Sequence, residues 1–237
     1  MRFFKIAAAL LLLSMAAGVH AAANQSFCGN PMKVSYGPFD YRKRAEFVEN
    51  FNIVEGAHFT SDVENGIKGS TSWIGGDLSY TLIVIPNHHR ALTTLTKLAV
   101  KRKEAEIFNM RYPVECYFDR AVRFAPDDGS AWTAYGTYLY AVNRPEQAFG
   151  MFRQAALVEP DNPTINYNLG LAYAKKKDYV HALTHANKAY AQGFPLMGLK
   201  NMLVQAGKWV EPTPPPSAAT APVETPAPVA PSDKPAG

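Results

Sequence analysis

The chain has 237 residues, 24 Lys plus Arg against 20 Asp plus Glu, and a formal charge of +4. That is length for one sizeable domain, and a near-neutral chain lacks the strong basic face that nonspecific nucleic-acid binding uses. The two cysteines, Cys28 and Cys116, form an even pair and invite a disulfide in an oxidising compartment.

Residues 1–23 read as a secretory signal. Arg2 and Lys5 give a positive start, residues 6–18 are apolar or small apart from Ser14, and Val19-His20-Ala21 supplies the small-x-small site, with Ala22 and Ala23 behind it. The apolar run is shorter than the ~20 residues a spanning helix needs, so cleavage after Ala21 or Ala23 is expected and an uncleaved anchor is the alternative. Removing the signal takes Arg2 and Lys5 away and lowers the charge from +4 to +2. No later stretch is apolar enough to span a bilayer. Export favours the Cys28–Cys116 pairing, while Gln25, Ser26 and Phe27 ahead of Cys28 do not suit a lipid-modified cysteine.

Residues 24–75 are rich in Gly, Asn and Ser, with aromatics at intervals. Residues 42–51 predict one helix and 61–68 another, capped by Thr60 or Ser61. Tyr36, Phe39, Tyr41, Phe59 and Trp73 are too apolar to stay in water, so this segment is expected to fold back onto the residues beyond 75, tied there by Cys28 and Cys116. The alternative is a lid across a groove. Gly75-Gly76-Asp77 reads as a turn and cap. Residues 81–85 carry strand propensity, but Pro86 ends a helix directly after them, and helix is the reading adopted.

From Pro86 onward three turns look alike: Pro86-Asn87-His88-His89, Pro126-Asp127-Asp128-Gly129 and Pro160-Asp161-Asn162-Pro163. Each Pro ends a helix and the Asn or Asp behind it can cap the next. Pro126 and Pro160 lie 34 residues apart, a helical-repeat period. Residues 129–162 carry Trp132, Tyr135, Gly136, Leu139, Ala148, Phe152, Ala155 and Pro160. Residues 163–196 carry Asn166, Leu169, Gly170, Tyr173, Ala182, Ala186 and Ala189. An earlier unit is stretched, with the surplus at 106–113. Residues 196–206 read as a helix covering the last repeat. Beyond 210, nine of the 27 residues from 211 to 237 are Pro. That composition builds no core and favours polyproline geometry, as a spacer, a partner's ligand or a solvated tail.

These residues resemble the tetratricopeptide signature over about 76–209. The Cys28-Gly29, Tyr36-to-Arg42, Glu55-to-Thr60 and Ala206-to-Trp209 pieces are similar to those of a group of exported bacterial tetratricopeptide proteins with no established activity. The resemblance implies an all-α solenoid of about three helix pairs with a capping helix, an irregular amino-terminal extension at 24–75 and a Pro-rich tail at 210–237. It also implies a periplasmic or secreted scaffold or adaptor that binds a protein or peptide partner of the cell envelope on its concave face. The family's groove positions fall on Arg90, Thr93, Lys97, Val100 and Lys101 in the first unit. In the second they fall on Ser130, Thr133, Thr137, Tyr140 and Ala141, and in the third on Thr164, Tyr167, Leu171, Ala174 and Lys175. Hydroxyls, tyrosines and four basic groups suit an extended peptide with some negative charge. A terminal-carboxylate clamp is disfavoured, because Thr93, Thr133, Ala134, Thr137, Thr164 and Asn168 stand where its Lys and Arg would be.

For catalysis the sequence offers little. There is no phosphate loop, no Gly-x-Ser-x-Gly and no Cys-His nucleophile pattern. No cofactor is implied and no enzyme is expected. Adjacent His88 and His89 point about 100° apart on a helix, so they read as helix-start residues rather than metal ligands. His181 and His185 share a face but read as a surface pair. The alternative function is an envelope enzyme or wall-binding module. Its site would lie where 24–75 meets the first repeat, around Arg42, Glu55 and His58.

Overall fold

The computed structural model describes residues 27–211, so the leader and nearly all of the Pro-rich tail fall outside the described residues. Every regular element among them is helical. The strand-prone run at 81–85 forms the end of α3, Ile74–Val84, with Ile85 as its C-cap. Its threonine is accommodated because the Thr81 hydroxyl donates to the Asp77 carbonyl one turn back, at 2.9 Å. Leu78 and Leu82, a turn apart, are both fully buried, and this burial outweighs local β preference.

Three helix pairs come next: α4 (His89–Arg102) with α5 (Val114–Phe124), α6 (Gly129–Ala141) with α7 (Pro145–Val158), and α8 (Pro163–Lys175) with α9 (Tyr179–Ala191). The first helices also pack side by side, α4 on α6 and α6 on α8, and a last helix, α10 (Gly198–Gln205), covers α8 and α9. The surplus residues of the first unit form the loop between α4 and α5. Each pair opens with the same chemistry. A side chain after the helix-ending proline accepts a backbone N–H of the next first turn: His88 from Ala91, Asp128 from Ala131, and Asn162 from Thr164 and Ile165. Small residues admit close approach here. A Cβ on Gly136 would lie 2.7 Å from the Phe152 ring of its pair partner, and one on Gly170 would lie 2.5 Å from Leu199 of the covering α10.

The amino-terminal segment divides its helix differently from the expectation. Residues 42–51 do not form one helix: a 3-10 stretch, Tyr41–Glu46, gives way at Phe47 to α1, Val48–His58. The break turns the Phe47 ring onto Phe39, 5.1 Å between centroids, in a cluster that buries Phe51 and Val54 against Val84 and Ile85. The second expected helix is a single turn, α2 (Ser61–Glu64), stopped by Gly66 at φ +71. Gly75, Gly76 and Asp77 are not a turn but the first turn of α3. The fully buried Asp77 gathers the loop before them, accepting from the Ser70 and Thr71 amides and from the Thr71 hydroxyl.

Covalent and polar attachments hold this segment to the pairs. Cys28 and Cys116 form a disulfide. Beside it Arg120, almost wholly buried, donates to the Cys28 carbonyl at 3.1 Å and lies over the Tyr112 ring, while Arg123 donates to the Gly29 carbonyl. The buried Asn87 side chain accepts from the Tyr41 amide and donates to both Asp40 and Asp128, at 2.7 Å each. His88 is fully buried; its Nδ1 accepts from Ala91, so Nε2 carries the proton and donates to Glu55 at 3.0 Å, and Arg44 pairs with the same carboxylate.

Replacing both cysteines with Ser removes a link spanning 88 residues and lowers unfolding free energy by about 4 kcal/mol in denaturant titration. In the same titration Gly136→Val, which forces Phe152 aside, lowers it by about 1–3 kcal/mol with the helical spectrum retained.

Acid acts on the polar attachments. Burial pushes the Glu55 carboxyl up, but hydrogen bonds from His88 and Arg44 outweigh it and hold the group at about 2. Burial likewise opposes Asp40, which Arg42 and Asn87 hold at about 2. Burial keeps His88 below its ordinary 6.5. A carboxylate depressed in the native state stabilises fully above its unfolded value and loses that contribution as pH falls toward about 2. A histidine depressed in the native state resists a proton that the unfolded chain accepts, so acidification below 6.5 also favours unfolding. The thermal midpoint therefore falls on going below pH 6.5 and again below 4.5. Glu55→Gln flattens the second decline and lowers stability at neutral pH by about 1–3 kcal/mol.

Candidate functional site

The side-by-side packing of α4, α6 and α8 leaves a trough on the faces of these first helices. Its wider part, about 340 Å³, is walled by His89, Thr93, Thr96 and Lys97 of α4, by Ser130, Thr133, Ala134 and Thr137 of α6, and by Thr164 and Ile165 of α8. It meets at Thr137 a narrower part of about 130 Å³, walled by Tyr140, Asn168, Leu171, Ala172 and Lys175, with Phe152 of α7 in the wall. The helical period sets this spacing. Thr93 and Lys97 lie four residues apart, as do Thr133 and Thr137 and then Leu171 and Lys175, so each pair stands one turn above the other on one face.

Of the fifteen expected groove positions the trough brings together nine: Thr93, Lys97, Ser130, Thr133, Thr137, Tyr140, Thr164, Leu171 and Lys175. The other six lie elsewhere. Val100 and Ala141 face a separate hollow between α4 and α6, and Ala174 is 3% exposed. Arg90 is drawn aside to α2, where Nε donates to Glu64 at 2.7 Å and the guanidinium covers the Phe59 ring. Lys101 is exposed at the end of α4, outside both parts. Tyr167 lies outside both parts: it is 8% exposed, and its ring lies tilted 4.6 Å from that of Phe194, on the approach to α10. A capping segment that folds over the last first helix buries that position, and repeat spacing alone does not encode it.

The chemistry of the trough is hydroxyl-rich and cationic. Thr93 and Thr137 donate to carbonyls one turn back, leaving their oxygens able to accept. The Thr133 hydroxyl is buried and has no hydrogen-bond partner among the described residues. Lys175 Nζ sits over the Tyr140 ring at 5.3 Å from its centroid. No carboxylate lines either part among the described residues. An anionic group entering the trough meets Lys97 at one end and Lys175 at the other. None of the lining residues comes from 27–75, so the amino-terminal segment does not cover the trough.

Arg42, Glu55 and His58 are not brought together at the junction. Arg42 pairs with Asp40 and Asp127, Glu55 with His88 and Arg44, and His58 with Asp77. His88 and His89 serve the helix start and the Asp128 cap, as their position implies. The His181–His185 pair is more than a surface coincidence. Both rings stack on Tyr173, and His185 Nδ1 bonds the buried Asn166 at 2.8 Å. No group of three or more His, Cys, Asp or Glu side chains among the described residues is placed to hold a metal ion.

Sequence reasoning passes over Phe152 as a trough residue, since it belongs to a second helix. Its signal is the contact with Gly136, which lets the ring reach through to the first-helix side. No protein-family model matches the chain, and no characterised protein matches it in sequence.

Proposed function

We propose that the protein is an exported scaffold or adaptor of tetratricopeptide type that holds an extended segment of a cell-envelope partner in this trough. The observation that carries the reading is the pair of hollows that meet at Thr137, one holding Lys97 and the other Lys175, across three successive first helices, with nine of the fifteen expected groove positions on their walls. Extended backbone has unpaired N–H and C=O groups, and threonine, serine and asparagine side chains at one-turn spacing can satisfy them. The exposed Thr93 and Thr137 hydroxyls, whose oxygens can still accept, are groups of this kind. The two lysines favour a peptide carrying Asp or Glu, and Tyr140 offers a flat apolar surface beside one of them. The disulfide and the leader-like residues 1–23 support a periplasmic or secreted location.

The test compares residues 24–237 with a Lys97→Glu/Tyr140→Ala/Lys175→Glu variant in cross-linked affinity capture from envelope extract. All three side chains are exposed, so the variant keeps the parent's melting profile. A partner enriched by the parent drops at least about tenfold with the variant, since two reversed charges and a lost ring remove more than ~1.4 kcal/mol. Equal capture by both proteins removes the trough as the binding site.

A further inference from the structure

The narrower part of the trough is its apolar end. Tyr140, Phe152, Leu171 and Ala172 supply most of the wall. At about 130 Å³ it has room for one compact apolar side chain rather than for several. Lys175 is in the same wall, its Nζ over the Tyr140 ring at 5.3 Å from the centroid, and no carboxylate lines either part among the described residues. An ammonium beside an apolar slot selects an apolar residue with an acid next to it. Tyr140, 38% exposed, adds an aromatic face of the kind that proline-flanked segments pack on, since such a segment is already extended and loses little freedom when it binds.

This chain carries one segment with that pattern. Between 212 and 237 the charged residues are Glu224, Asp233 and Lys234. Asp233 has Lys234 beside it, whereas Glu224 has no Lys or Arg within nine positions on either side. Glu224 follows Val223, and Pro222 and Pro226 flank the two. The other valine of the stretch, Val229, stands between Pro228 and Ala230 with no acid next to it. An apolar side chain for the slot and a carboxylate for Lys175 therefore coincide at 223–224.

The chain also passes into this stretch beside the trough. Glu211 is held to Lys200 of α10 at 2.8 Å, and α10 packs on α8. Tyr140, on α6, lies two helix spacings from α10, about 16–20 Å. The twelve residues 212–223 reach roughly 37 Å at ~3.1 Å each. The tether covers the gap with length to spare, and it meets α8, which carries Lys175, before α6. A tether of this length holds its ligand at an effective concentration on the order of millimolar. A contact with a Kd of the same order then fills about half of the slots, so one side chain and one ion pair suffice.

We propose that the segment 222–226 of the same chain is the resting occupant of the narrow part, with Val223 in the slot and Glu224 on Lys175, and that an outside partner gains the trough by displacing it. This rests on the reading of the trough as a site for an extended acidic segment, and it is independent of who the outside partner is.

The experiment is zero-length carbodiimide coupling of residues 24–237 at low micromolar concentration, with the linked peptides read by mass spectrometry. The expected product is a Lys175–Glu224 amide in the monomer band. Tyr140→Ala, at an exposed ring, and Val223→Ser each lower its yield about threefold or more, as the loss of one apolar contact implies. In the envelope capture, Val223→Ser/Glu224→Gln enriches the partner about twofold over the parent, the share of slots that the segment no longer holds. Coupling of Glu224 to Lys175 no stronger than to Lys188, exposed on α9, overturns the proposal, as does a yield that neither substitution changes. A Lys175–Glu224 link confined to the dimer band overturns it in favour of exchange between copies. A partner captured through the trough with no such link sinks this inference alone. The link without any captured partner upholds the self-contact and sinks the adaptor reading alone.

Discussion

The Asn87 side chain is the joint on which the arrangement depends. A buried carboxamide is a liability unless both ends are used, and here both are. Its oxygen takes the Tyr41 amide; its nitrogen serves Asp40 from the amino-terminal segment and Asp128 from the next pair. Asp128 in turn caps α6 and bonds His89 at the start of α4. One side chain thus ties two successive pairs to each other and to the segment that lies over them. The α4 and α6 helices it adjoins form two walls of the trough.

Much of this was legible in the chain, and the reason is periodicity. Prolines with capping residues behind them are local requirements of a helix pair, as is Gly136 where its pair crosses, and Gly136 and Gly170 recur at the repeat length. The pairs, the extra loop before α5 and the covering α10 all derive from such local rules. The cysteine pair was legible from compartment and count. Fifteen groove positions came from the resemblance, and nine of them line the two hollows that meet at Thr137.

What was not legible depends on contacts across long separations. Tyr167 has the spacing of a groove residue, and only the returning chain at Phe194 buries it. Arg90 has that spacing too, and only Glu64, from a single-turn helix with no repeat to announce it, draws it away. The break at Phe47 reflects an aromatic cluster assembled with Val84 and Ile85, which helix propensity within 42–51 does not encode. Trp73 looked like core because it is apolar, yet hydrophobicity alone does not tell a buried ring from one kept outside.

The two ends of the molecule are also built from different material. The larger core carries Tyr117, Phe118, Leu92 and Leu95, and the disulfide and the Asn87 joint both adjoin it. The core under α8 to α10 rests on Ala182, Ala186 and Ala189 with Leu199 and Leu203, closed at the rim by half-buried tyrosines and Trp209. Alanine contacts bury less area and interlock less than leucine or phenylalanine ones. The trough crosses from one material to the other, with Lys97 over the core of large side chains and Lys175 over the alanine-rich one. A segment held there as proposed would rest on walls backed by different packing at its two ends.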